Sequence, residues 1–195
     1  MNNISILPGI KGLIFDCDGT LVDSMPLHVL AWKAAVKKFG AVYDQDFFYS
    51  CKGMKEKDIV PLYNAKHNTN LDPEQVVEAK HEFFSQNISQ LKRIDIVANI
   101  ALKYKGILPM AVVSGGTREN VLAELKATDL NSLFEIILTS NDSFASKPAP
   151  DLFLEAAKLM GVVPQFCQVF EDADLGIEAA INAKMQFTDV RKYFS

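Results

Sequence analysis

The stretch GLIFDCDGTLVDS, residues 12–24, decides how this sequence is read. Its apolar head, Leu13-Ile14-Phe15, has the composition of a short buried strand. Two acids, Asp16 and Asp18, follow at once, and Gly19-Thr20 favours a tight polar turn. Side chains two apart on an extended chain point the same way, so both carboxylates can face one pocket if the extended geometry persists past the strand. A pair of carboxylates at a strand tip is a natural place for a cation.

Downstream of this stretch, Ser24 and Pro26 open a helix that is expected to run to about Phe39, with Gly40 as its stop signal. His28, Trp32, Ala35, Val36 and Phe39 share one face of it. Residues 43–91 contain no convincing period-2 strand. Asp72 reads as an N-cap with Gln75 at the capping-box position, and Val76, Phe83, Phe84, Ile88 and Leu91 form a helical stripe. Residues 24–92 therefore read as an all-helical insertion, with residues 1–23 and 93–195 as the main domain.

From Ile94 the texture changes to alternating helices and apolar strands. Strands are expected over 108–113, 135–138, 168–170 and 186–190, and helices over 96–104, 117–126, 151–160 and 177–183. This rhythm predicts the α/β class, a doubly wound parallel sheet with helices on both faces. In such sheets the ligand sits beyond the carboxyl ends of the strands. Those ends carry Asp16 and Asp18, then Ser114, the loop to Lys147, and Glu171 with Asp172. Several acids in one pocket repel and hold protons tightly unless a cation is present, and Mg²⁺ suits their oxygen ligands. Ser114 precedes a helix whose N-terminal amides suit a phosphate, and Lys147, between Ser146 and Pro148, adds a positive point charge. Acids, cation, hydroxyl and lysine together specify phosphoryl chemistry.

The segments Asp16-Cys17-Asp18-Gly19-Thr20, Ser114 after a strand, Lys147-Pro148 and Glu171-Asp172 resemble the four ordered motifs of the haloacid dehalogenase superfamily. The resemblance covers nearly the whole chain, and the helical insertion matches that superfamily's cap on a Rossmann-like core. KPAPDLFLEAA (147–157), FEDADLGIEAA (170–180), His28 and Ala31-Trp32-Lys33 are similar to its β-phosphoglucomutase-like branch, nearest to sugar phosphatases acting on fructose 1-phosphate and related compounds. The resemblance implies that Asp16 is the nucleophile and Asp18 the acid and base. It implies Mg²⁺ held by Asp16, the Asp18 carbonyl and Asp172, with Glu171 acting directly or through water, phosphoryl contacts from Ser114 and Lys147, and Thr20 and Gly115 among the substrate-binding residues. It makes His28 and Lys52 substrate contacts from the cap.

Departures from the pattern narrow the choice. Mutases of this branch carry an arginine where this chain has Glu56, which favours hydrolysis over phosphoryl transfer within a sugar. Lys184 stands where relatives usually have glycine. His67 and His81 match nothing and are expected at the surface. A phosphosugar mutase and a catalytically idle binding protein are the alternatives, while Asp18 speaks against dehalogenase and phosphonatase chemistry. The net charge of −4 and pI near 5.4 offer no footprint for nucleic acid or an anionic membrane. No apolar run is long enough to span a bilayer. Cys17, Cys51 and Cys167 form no disulfide framework. The expectation is a cytoplasmic enzyme, monomeric or weakly dimeric, acting on a small phosphorylated molecule.

Overall fold

The computed structural model describes residues 4–51, 54 and 56–194. Its chain forms two compact units, Met1–Asp23 with Lys92–Ser195, and Ser24–Leu91.

The first unit is built on β1 (Gly12–Phe15), all four residues of which are buried. Continuous burial is what a central parallel strand covered on both faces requires. The second unit supplies α1 (Met25–Lys38), α2 (Gln45–Ser50), α3 (Glu56–His67) and α4 (Pro73–Asn87). The chain then returns through α5 (Asp95–Tyr104), β2 (Met110–Val113), α6 (Arg118–Ala127), β3 (Ile136–Leu138), α7 (Asp151–Leu159), β4 (Cys167–Glu171), α8 (Asp174–Asn182) and β5 (Gln186–Asp189). The pairings between these strands are parallel and the order is β3-β2-β1-β4-β5. Strand order thus reverses at β1, and the crevice at its carboxyl end is where such sheets place ligands.

The core under the sheet joins Ile14, Ala111, Val113 and Val169 to Leu152, Phe153 and Ala156 of α7 and Ala179 and Ala180 of α8. Phe15 stacks on Phe170 at 4.8 Å and meets the edge of Phe134 at 5.6 Å; each such pair adds about 1 kcal/mol beyond its burial. Gln168 is a fully buried polar residue in a central strand. Its amide accepts from the Leu7 N–H at 2.8 Å and donates to Ser5 O and Thr188 Oγ1, which ties the amino-terminal segment to the sheet.

In the second unit an aromatic core links Trp32, Phe47, Phe48 and Tyr63, with Trp32 stacked on Phe48 at 4.9 Å. Asp72 caps α4 by accepting from the N–H groups of Glu74 and Gln75 at 2.9 and 3.1 Å. One residue on the buried face of α4 departs from expectation: Lys80 is fully buried. It lies between Val76 and Phe84 at i,i+4 spacing, its ammonium bonded to Glu56 of α3 and 5.1 Å from the Phe84 ring centroid. His81 binds the other oxygen of the same carboxylate. Burial disfavours the charge on Glu56, but His81 and Lys80 outweigh it and hold the carboxyl at about 2.

His81 and His67 are therefore not the simple surface residues expected from sequence. Both are half-buried, and His67 stacks on Tyr63 at 4.4 Å while its Nε2 meets Asp44 Oδ2 at 3.0 Å. Carboxylates from elsewhere in the unit, Asp44 at the N-cap of α2 and Glu56 of α3, engage the two rings.

The end of α8 carries the unusual Lys184. Its φ is +57°, and its N–H donates to Ile181 O at 2.9 Å while that of Met185 donates to Ala180 O at 3.0 Å. This paired pattern closes a helix through a left-handed residue, a position glycine normally fills. The ends of α1 and α7 use Gly40 and Gly161 for the same turn. Among the described residues no helix is long and apolar enough to cross a membrane.

Candidate active site

Register places the acids. Phe15 pairs with Phe170, and the next N–H, that of Asp16, still donates to Phe170 O at 3.0 Å. Asp16 and Glu171 therefore leave adjacent strands side by side. Val112 pairs with Phe15 on the other flank, so Ser114 emerges two residues later on the same end of the sheet. Its N–H donates to Leu138 O at 3.0 Å.

The chain after Asp16 turns sharply around one carbonyl. Cys17 O accepts from the N–H groups of Thr20, Leu21 and Val22 at 2.9 to 3.2 Å, and Gly19 adopts a φ of +78°. A side chain at position 19 would place its β-carbon 2.5 Å from Asp172 Oδ2. Asp172 thus lies directly over Gly19, and Thr20 Oγ1 donates to its Oδ1 at 3.1 Å. Thr20 is fully buried, and its hydroxyl holds the Asp172 carboxylate in place.

Lys147 closes the cluster. Its Nζ donates to Asp16 Oδ1 at 2.7 Å, Glu171 Oε1 at 2.6 Å and Val113 O at 3.1 Å. Burial disfavours the ammonium charge, yet the two carboxylates outweigh it, and Lys147 holds its proton more tightly than an ordinary lysine. Asp16 shows the opposite balance. Burial first, then the charges of Glu171 and Asp172, push its carboxyl well above the usual range, and Lys147 offsets this only in part. Glu171 is 1% exposed, and its other oxygen accepts from the Ala173 N–H at 2.9 Å.

One carboxylate oxygen each from Asp16, Glu171 and Asp172 lie within 4.8 Å of one another. Three hard oxygen donors at this spacing suit Mg²⁺. With all three ionised, Lys147 leaves an excess of two negative charges, which a divalent cation balances. The donor set and its charge therefore fit the expected ion.

Ser114 is buried, and its Oγ accepts from the Gly116 N–H at 3.0 Å. That role keeps the hydroxyl hydrogen available to donate. Gly115 is exposed, with open space where a side chain would be. A β-carbon at Gly116 would lie 3.3 Å from Ser114 Oγ and 3.5 Å from Asp18 Oδ2, so Asp18 projects beside Ser114. Thr117 caps α6 by accepting from the Asn120 N–H.

The structure thus brings Asp16, Lys147, Glu171 and Asp172 together, with Asp18 and Ser114 on the same end of the sheet. His28 belongs to the helical unit, where its ring stacks on Phe84 at 4.5 Å. Lys52 lies outside the described residues. Two participants escaped the sequence reading. Gly176 in α8 abuts Glu171, and its signal was an unexplained glycine inside a helix. Glu124 of α6 is buried and accepts from Cys17 Sγ at 3.4 Å. Burial, followed by the charge of Glu124, pushes the Cys17 thiol well up, so this cysteine is inert between the two acids.

A family model described as haloacid dehalogenase-like hydrolase matches residues 13–190. The chain is 35% identical over 184 residues to fructose-1-phosphate phosphatase YqaB of Escherichia coli, covering 92% of this chain and 96% of that protein. It is 29% identical to the β-phosphoglucomutase of Bacillus subtilis, covering 90% and 81%. A solved HAD hydrolase of family IA, variant 3, from Entamoeba histolytica superposes with a TM-score of 0.79 at 27% identity, covering 91% and 82%. With its parallel sheet, its ordered motifs and these matches, the chain belongs to the haloacid dehalogenase-like hydrolase family.

Proposed function

We propose that this protein is a Mg²⁺-dependent phosphatase of small sugar phosphates, of the fructose 1-phosphate kind. The observation that carries this is the cluster of Asp16, Lys147, Glu171 and Asp172 at the strand-order reversal, with Asp18 and Ser114 alongside.

An ionised Asp16 carboxylate attacks phosphorus. As the new O–P bond forms, the ester O–P bond breaks and its electron pair leaves with the sugar oxygen, which Asp18 protonates. Asp18 then takes a proton from water, whose oxygen attacks the aspartyl-phosphate, and the Asp16 O–P bond breaks to release inorganic phosphate. Lys147 and Ser114 hold the phosphoryl oxygens, whose charge stabilisation supplies much of the rate. Asp16, Glu171, Asp172 and the Asp18 carbonyl are the groups that would hold Mg²⁺. When bound, that ion supplies positive charge that keeps Asp16 ionised against its burial and offsets the phosphoryl charge.

Residues 24–91 are read as the cap that selects the sugar, with His28 and Lys52 as its contacts. Glu56 favours hydrolysis over the mutase alternative. Both of its oxygens are engaged, by Lys80 and His81, so position 56 offers no cation to a second phosphate. Three buried free thiols support a reducing, cytoplasmic setting.

A panel of sugar mono- and bisphosphates, assayed with Mg²⁺ for free phosphate and for isomerised sugar, tests the reading. Phosphate released from monophosphates by wild type and not by Asp16→Asn is the expected result. Isomerised phosphosugar without phosphate release supports the mutase, and no turnover by either protein supports an idle binding protein.

A further inference from the structure

An alanine at position 176 is incompatible with Glu171 where it lies. The added β-carbon would sit 1.7 Å from Oε1, 2.0 Å from Cδ and 2.7 Å from Oε2. Nothing in the backbone itself asks for glycine there, because Gly176 is absent from the residues with positive φ. Glycine inside a helix is also disfavoured against alanine, by about fivefold per residue. Helix propensity therefore opposes the residue, and space explains it. The Glu171 carboxylate lies on the bare backbone of the first turn of α8, held by Lys147 at 2.6 Å and the Ala173 N–H at 2.9 Å. A carboxylate pushed off Gly176 loses those two partners and its place among the acids.

We propose that Gly176 is a positioning residue for the cation site: its missing side chain fixes where Glu171 lies and couples the size of residue 176 to the length of the acid at 171. The inference rests on Asp16, Glu171 and Asp172 being cation ligands, and it adds a size rule to that reading. An acid one methylene shorter draws back from position 176 and makes room for a methyl group.

The test is a four-protein cycle of wild type, Gly176→Ala, Glu171→Asp and the double variant, followed by calorimetric titration with MgCl₂ and by thermal unfolding in EDTA. Gly176→Ala is expected to weaken Mg²⁺ binding by about tenfold or more, as loss of a supporting contact does, and to lower the melting temperature. On Glu171→Asp the same alanine should cost less than about threefold in Mg²⁺ binding and leave melting unchanged or raised, as helix propensity favours, a non-additivity that contacting residues show. If Gly176→Ala does not fold, a double variant at least as stable as Glu171→Asp carries the same conclusion. Equal losses in the two backgrounds overturn the inference. So does a Gly176→Ala protein that binds Mg²⁺ like wild type, or a wild type that binds none. A wild type that binds Mg²⁺, follows the size rule and hydrolyses no sugar phosphate removes the phosphatase reading and leaves this one standing.

Discussion

Replacing Lys147 with methionine keeps an unbranched side chain near the Phe153 ring, whose centroid is 5.3 Å from Nζ, and removes the charge. Asp16 and Glu171 then lose contacts of 2.7 and 2.6 Å in a setting where their side chains are 9% and 1% exposed. Deleting one partner of a buried ion pair costs about 3–5 kcal/mol, because the remaining charge stays out of water. Unfolding entropy near 2.1 cal/mol/K per residue gives about 0.4 kcal/mol/K for this chain, so cooperative unfolding should shift down by about 7–12 °C. Thermal unfolding followed by circular dichroism in EDTA measures this. MgCl₂ should raise the variant's melting temperature more than wild type's, since the cation replaces a missing charge. Adding Glu171→Gln should recover part of the loss, since it removes one of the two stranded acids. A shift below about 1 °C, well under the cost of a stranded buried charge, would refute the claim that Lys147 neutralises this cluster.

Three further outcomes follow from the same structure. The Glu56 carboxyl sits at about 2 against an ordinary 4.5. A depressed acid stabilises the fold above its unfolded value and loses that contribution as pH falls through the folded one. Wild type should therefore lose about 2 kcal/mol between pH 4.5 and 2 from this residue, allowing for its part exposure, and urea midpoints of Glu56→Gln should lack that segment of the pH dependence. Lys184→Gly should gain about 1 kcal/mol in urea unfolding by relieving a left-handed lysine at φ +57°; a loss would mean that the turn carries no strain. Thr20→Val removes the donor to Asp172, and calorimetry should find Mg²⁺ binding weakened by about tenfold.

The parts of this molecule legible in its sequence are those that chain order alone sets. Leu13 to Phe15 had to be a strand, and Asp16 had to sit at its tip, because hydrophobic pattern and turn chemistry are local. Asp72 likewise announced the start of α4. Convergence of Lys147 and Glu171 on Asp16 was readable through the general rule for strand ends. That Thr20 donates to Asp172 was not legible, because its partner lies far along the chain. Lys80, which went unread in the sequence, shares a stripe with Val76 and Phe84. That spacing was the available signal, and only the fold supplies Glu56 opposite it. Gly176 was invisible as a site residue because its contribution is an absence of atoms, which matters only once Glu171 is placed against it.

The most direct test of the central claim is a single turnover of a sugar monophosphate with Mg²⁺, quenched in acid and followed by peptide mapping of the protein. The account predicts the substrate's phosphoryl group on the Asp16 carboxylate, and no labelled peptide from Asp16→Asn. Free phosphate released with no phosphoryl group ever found on Asp16, or with the group found on another residue, would contradict it.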